Sequence, residues 1–370
     1  PNAEGLPDAD AVPKTSSPHP DETAHCHAGT LEAKAPPPDA EGLPDADAVP
    51  KTSSPHPDET AHCHAGTLDA KAPPPDAEGL CRNTGCYKLA LENAHAADKK
   101  IAFDEETHTY TFTDGQKVQK SVTKLVGLCF SSFDGEGTID AWYDTWKSNP
   151  KSKYYNDTLT TEAEGKARIK ARWDKNAKEA SRLGTKVHLY AEMLLNGTRP
   201  EGDPRFAEVS TEVAQIHSFL ASELGRGLVP YRTELTVYYT RKRNGKDVPV
   251  SAGQIDALFR GPNGEMILVD WKRVKGDNDI SKTSRAYGNQ VGFGPGGTGL
   301  PHTHFYHYSL QASIYAVMLK HSHGIDVDQC FLVRVHSDRK DYQLIPCDDL
   351  RDRAMAILEE EAALLDAARA

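Results

Sequence analysis

The first eighty residues hold no aromatic side chain and no arginine, yet they carry 15 of the chain's 24 prolines. Such a segment cannot bury enough apolar surface to offset the entropy of ordering it, which predicts a disordered tail. Residues 3–39 recur at 40–76 with one change, Glu32 to Asp69, and a third copy starts at Ala77 and breaks off at Cys81. The repeat lacks the periodic apolar positions with which solenoids stack into a core. Its near-identity points to recent duplication, or an artefact of sequence assembly, rather than a repeat fold.

Cysteine is scarce. The seven present (Cys26, Cys63, Cys81, Cys86, Cys129, Cys330 and Cys347) are odd in number and scattered, so no disulfide framework is expected and a reducing, intracellular setting fits. Each repeat contains a His-Cys-His triplet, at His25–His27 and His62–His64, but three adjacent ligands do not readily surround one tetrahedral ion, and no zinc site is expected. No apolar run reaches the roughly 18 residues needed to span a membrane. The sequence starts at Pro1 and not Met, which leaves a preceding targeting segment open. The net charge of −11 resides wholly in the first eighty residues, which carry 4 Lys against 15 Asp and Glu. The remainder balances 39 basic against 39 acidic residues (43 less 4, 54 less 15), so overall acidity does not exclude a nucleic-acid partner.

The informative stretch is Val250–Lys275, VSAGQIDALFRGPNGEMILVDWKRVK. Gly261-Pro262-Asn263-Gly264 fits a type I turn, and a three-residue loop with Gly264 left-handed makes facing residue numbers sum to 526. Asp256 then faces Asp270, and Gln254 faces Lys272. Alternation puts these four on one sheet face, with Ile255, Ala257, Phe259, Ile267, Val269 and Trp271 on the other, apolar face. Two facing carboxylates beside a lysine suit an oxygen-ligated Mg²⁺ or Mn²⁺ acting on a phosphodiester. The plain alternative is a surface hairpin with an ordinary cross-strand charge pair.

Ile255-Asp256 followed by Asp270-Trp271-Lys272 resembles the PD-(D/E)XK nuclease signature, with Ile where Pro is usual. Gly184-Thr185-Lys186-Val187-His188 with Glu192 resembles the GTxxH helix of the RecB-like exonuclease branch, and Gln311 to Tyr315 its QxxxY helix. The branch includes the mitochondrial genome maintenance exonuclease and phage and large-virus enzymes. The resemblance implies an α/β fold with a restriction-endonuclease-like core, a mixed central sheet flanked by helices. It implies Asp256, Asp270, the Trp271 carbonyl and His188 as metal ligands, Lys272 as the catalytic lysine, and Gln311 and Tyr315 around the site. Glu192 is a candidate to orient the His188 imidazole, its alternative being an exposed helix glutamate. For His188 the alternative is a buried histidine satisfied by a carbonyl. Glu234 matches an acidic residue that the branch carries upstream of the core hairpin and is a secondary candidate.

Three stages are expected along the chain: the tail at 1–80, an N-terminal hairpin and helical part at 81–160, and the core at 161–370. The second contains a strand over Ile101–Phe112 turning at Asp114-Gly115 and a helix starting near Ser121. In it His108-Thr109-Tyr110, Ser121-Val122-Thr123 and Phe133-Asp134 resemble steps of phage and viral members, with His108 read as structural. A helix is expected over residues 160–196, strands at Gln329–Val335 and Tyr342–Ile345, and an amphipathic helix from Leu350. Basic clusters at Arg241-Lys242-Arg243 with Lys246, Arg273 with Lys275, and Lys282 with Arg285 are candidate phosphate contacts or solvated surface. The glycine-rich stretch between Lys275 and Tyr308 has no periodicity and reads as a lid or strand guide. In it Phe305, Tyr306 and Tyr308 could stack on unpaired bases. HxHxxH at His302, His304 and His307 is a weak metal signal.

The expected function is Mg²⁺- or Mn²⁺-dependent DNA hydrolysis in replication, repair or recombination, with exonuclease resting on the resemblance alone. The rivals are an endonuclease of restriction or junction-resolving type on the same fold and a module that binds nucleic acid without cutting it.

Overall fold

The computed structural model describes residues 88–105, 107–275, 280–284 and 289–368. The tandem repeats with their expected disorder, both His-Cys-His triplets, Cys81, Cys86 and Arg285 lie outside the described residues. In chain order the elements are α1 (Lys88–Glu92), β1 (Ile101–Asp104), β2 (Thr109–Phe112), β3 (Lys120–Ser121), α2 (Val122–Gly127), α3 (Gly135–Ser148), α4 (Glu162–Leu195), α5 (Ser210–Leu220) and α6 (Glu223–Gly227). They continue with β4 (Val229–Arg243), β5 (Lys246–Arg260), β6 (Met266–Arg273), α7 (Gly294–Gly297), α8 (His304–His323), β7 (Gln329–Val335), β8 (Gln343–Pro346) and α9 (Arg351–Ala367).

Six strands form one mixed sheet in the order β3-β5-β6-β7-β8, with β4 also paired to β5. The β3–β5 and β6–β7 pairs are parallel and the others antiparallel. One face carries α2, α8 and α9 over Leu235, Val237, Ile255, Leu258 and Leu268, and the other carries α4 and α5 over Ala257, Phe259, Ile267, Val269 and Trp271. Helices on both faces explain why β6 is buried at seven of its eight positions. Among the described residues no helix is long and apolar enough to cross a membrane.

The β5–β6 turn forms as its residues dictate. Ala257↔Val269, Leu258↔Leu268, Phe259↔Ile267 and Arg260↔Met266 all sum to 526, Gly264 sits at φ 91°, and the Gly261 N–H donates to the Glu265 carbonyl at 2.8 Å. The N-terminal hairpin differs from expectation. Its turn falls inside the expected strand, so that Asp104 pairs with Thr109, while the Gly115 turn adds a further bridge from Thr111 to Lys117.

The α4 helix starts where the Thr161 side chain accepts from the Glu164 N–H and ends at Asn196, followed by left-handed Gly197. Its 34 residues span about 50 Å. The first half packs Ile169 and Trp173 against Ile139, Tyr143, Trp146 and Tyr154, and the second packs Val187, Tyr190 and Ala191 on the sheet. The expected 160/161 boundary therefore cuts through one aromatic cluster. Nor does residue 120 onward stand apart, because β3 joins the sheet and α2 the core.

Residues 289–303 of the glycine-rich stretch are also more regularly built than composition suggests. Among its described residues Val291 bridges Pro301, α7 lies against α9, and a Cβ at Gly297 would stand 2.7 Å from the Cys129 carbonyl oxygen. Its glycines permit close packing and not a loose lid. The helix expected at Tyr308–Tyr315 already begins at His304, where the Thr303 hydroxyl caps the Tyr306 N–H.

Candidate metal centre

Asp256 stands where the sheet splits. One edge of β5 pairs with β3 through Ser251 and Ala252 and with β6 from Ala257 onward, and the ladders on that edge include none of residues 253–256. The Tyr315 ring lies over the gap, and a Cβ on Gly253 would come within 2.6 Å of it. An isolated glycine inside a strand pattern is the signal that sequence reading passed over here.

On the other edge β4 keeps step with β5, yet Glu234, whose number would match Asp256, takes a left-handed φ of 44°. For a non-glycine residue this costs about 1–3 kcal/mol and concentrates at functional positions. The alternation breaks with it. Thr233 accepts from the Asn196 amide at the end of α4, whereas Leu235 and Ile255 pack into the cluster under α8. Ile255, expected beside Ala257 and Phe259, lies instead with Leu258 and Leu268.

The break brings three elements together. His188 from α4, Glu234 from β4 and Asp256 from β5 each offer a ligand atom within 4.8 Å of the other two. The His188 Nε2–H donates to the Trp271 carbonyl at 2.9 Å, and Nδ1 lies 3.6 Å from Asp256 Oδ2. That same Oδ2 accepts from the Trp271 N–H at 2.9 Å. Asp270 stands beside this trio, in an ion pair with Lys272 at 2.8 Å, and both side chains are buried.

The electrostatics record a surplus of buried negative charge. Burial first, then the charges of Asp256, Glu192, Glu105 and Asp270, push the Glu234 carboxyl well above its ordinary range. Burial also raises Asp270 to about 6, with Asp256 adding to the rise and Lys272 opposing it. Glu192 is buried and not an exposed helix glutamate; its charge bears on Glu234, while both nitrogens of His188 face the sheet. Gln311 and Tyr315 share one face of α8, and the Gln311 amide donates to Tyr315 and to the Thr123 hydroxyl, each at 3.3 Å. Thr123, Tyr110 and Glu105 join the neighbourhood from the N-terminal hairpin and α2. The Ser-Val-Thr and His-x-Tyr steps carry Thr123 and Tyr110, and no motif marks Glu105.

The expected nucleic-acid contacts fare less uniformly. Arg273 is committed to Glu212 at 2.9 Å, with Glu212 fully buried, so it is not a free phosphate ligand. Tyr308 is 4% exposed and Phe305 3%, so neither offers a face to a base. Arg241 and Arg243 flank the Asn244-Gly245 turn and pair with Asp366 at 3.3 and 3.9 Å. Nine residues separate Arg243 from Glu234, about 30 Å of strand, so this turn lies far from the trio. Lys275 is exposed, and Lys282 pairs with Asp348 at 2.6 Å. His302 and His307 pack on Phe130, with His304 beside His307; burial holds the three imidazoles at about 4, 3 and 4 respectively for His302, His307 and His304, neutral at ordinary pH.

No family model matches the chain, and no curated protein does. Sixteen chains of solved structures match it. One, the crystal structure of SSO0001, is 17% identical over 52% of this chain and 69% of that one, with a TM-score of 0.24. A likeness that low carries no argument about fold or activity.

Proposed function

We propose that the protein is a Mg²⁺- or Mn²⁺-dependent nuclease that hydrolyses DNA phosphodiesters, on a PD-(D/E)XK core of the RecB-like exonuclease kind. The observation that supports it most is the convergence of His188, Glu234 and Asp256 at a split in the sheet, with the Trp271 carbonyl at His188 and the Asp270–Lys272 pair alongside. Two carboxylates and an imidazole, through its Nδ1, make a donor set suited to Mn²⁺ and, with waters, Mg²⁺, and the Trp271 carbonyl that accepts the Nε2–H would orient that imidazole. The raised Glu234 and Asp270 carboxyls fit the same reading, since a divalent cation would offset the burial of charge, and then the repulsion, that raise them.

Asp256, Glu234 and His188, with Asp270 beside them, would hold such an ion, which would supply Lewis-acid polarisation of a phosphodiester and a more acidic water. The chain supplies the rest. Lys272 carries its charge on a buried stem beside Asp270, where an ammonium can orient the attacking water and offset negative charge developing on the phosphoryl oxygens. Gln311 donates its amide N–H groups to Tyr315 and Thr123, which leaves its amide oxygen to accept from a water or a substrate hydroxyl.

The test incubates the full chain with end-labelled single- and double-stranded DNA and RNA in Mg²⁺, Mn²⁺ or EDTA, beside Asp270→Asn and Lys272→Ala. Cleavage of DNA that needs the cation and both side chains is expected. Cleavage that persists in EDTA or in the variants ends the proposal, and binding with no cleavage by the parent chain favours the non-cutting module. Digestion of covalently closed circles distinguishes an endonuclease from an exonuclease.

A further inference from the structure

Lys272 is held by unequal neighbours. Directly across the β6–β7 ladder stands Arg334, fully buried, and two cations at facing positions repel. The guanidinium is drawn aside by the Val274 carbonyl at 2.9 Å and the Gln343 side chain at 3.2 Å. On the attractive side are Asp270, and the ring of Tyr308 with its centroid 4.8 Å from the Lys272 ammonium. The ring is itself immobilised. It packs among Val274, Phe305, Leu332 and Ile345, and the His304 imidazole stacks on it at 5.9 Å and 25°. An ammonium over an aromatic face, away from water, is attracted by the ring quadrupole.

We propose that Tyr308 is a positioning residue for Lys272, its ring face holding the ammonium in place when Asp270 turns its charge toward a cation. The catalytic part of this rests on the nuclease reading; the placement of Lys272 does not. Asp270 pairs with Lys272, and whatever it would give to a divalent ion beside it would be withdrawn from the lysine. The Tyr308 face is an attraction that does not depend on Asp270, and it opposes the push of Arg334. The role differs from base stacking, for which the ring is too deeply buried.

The experiment replaces Tyr308 in the full chain by Phe and by Phe carrying one, two or three ring fluorines, which keep the volume while draining the negative face. The readout is the rate at which Lys272 is reductively methylated, followed by mass spectrometry of its peptide, with Mn²⁺ and with EDTA. The Phe variant is expected to match the parent. Labelling in Mn²⁺ should then climb with each fluorine to about tenfold, with a smaller climb in EDTA, where Asp270 still holds the lysine. On DNA, kcat should fall along the same series with KM unchanged and recover in the Phe variant. A flat labelling series overturns the proposal, as does a fall in KM-controlled binding alone. If the parent chain does not cleave DNA, the labelling slope still decides whether the ring holds Lys272, and the two readings fail separately.

Discussion

The β4–β5 hairpin carries charge at two places that behave oppositely. At its turn Arg241, Lys242, Arg243 and Lys246 cluster in water, with Lys242 71% exposed in a pair with Asp247. Toward the other end Glu234 and Asp256 bring like charges together in the interior, beside Asp270 at 3% exposure. The turn is inexpensive to keep, since exposed pairs contribute at most about 1 kcal/mol and screened like charges cost little. The interior cluster works against stability through burial, repulsion and a left-handed glutamate, and folding alone gives no reason for it. The cost of a charge, and not its presence, separates the site from the surface.

The sharpest way to break this contrast is substitution at both places. Lys272→Ala and Asp256→Asn should each lower kcat on DNA by on the order of 10³-fold, whereas Arg243→Ala leaves kcat within about twofold. Comparable losses at both places, measured under saturating substrate, would erase the distinction.

A thermal series against pH measures the interior cost. The folded-state value of Asp270, about 6, lies above its usual 3.8, so the folded protein binds that proton more tightly. The stabilisation is complete below about pH 4 and lost as pH rises through about 6, up to about 3 kcal/mol in the cation-free protein. Asp270→Asn should flatten this slope, and saturating Mn²⁺ should remove it in the parent; a parent curve that rises between pH 4 and 6 contradicts the assignment.

Glu234→Gln removes a carboxylate that burial and four acidic neighbours disfavour. The cation-free protein should gain about 1–2 kcal/mol at pH 7.5 and lose most of the rise in Tm that Mn²⁺ produces. An unchanged Mn²⁺ effect removes Glu234 from the cation site. Smallest of all, Arg241→Ala should shift stability by about 0.5 kcal/mol or less in denaturant titration. If the turn meets nucleic acid, the salt slope of binding drops by about one while kcat stays put.

Local chemistry explains what was legible. The β5–β6 register near the turn follows from the turn itself, and the expected helix over residues 160–196 ends where Asn196-Gly197 stops it, with Gly197 left-handed. Each is decided within a few residues, where sterics and capping act. The split between β3 and β6, the burial of Tyr308 and the Arg273–Glu212 pair join residues tens to hundreds of positions apart, and no local preference encodes them. The N-terminal hairpin shows the same limit on a small scale. An alternating run from Ile101 to Phe112 is equally good as one strand or two, and packing of Tyr110 and Phe112 against Tyr238 chooses two.

By itself, then, the sequence determined the β5–β6 register from Ala257↔Val269 down to the turn, and with it Asp270 and Lys272 on one side of β6, because turn geometry and the two-residue period of a strand act within a few residues. Only the tertiary structure decided that Asp256 stands within 4.8 Å of Glu234 and His188, because that depends on a left-handed residue in one strand, a gap in the next and a helix about 50 Å long delivering an imidazole to the gap.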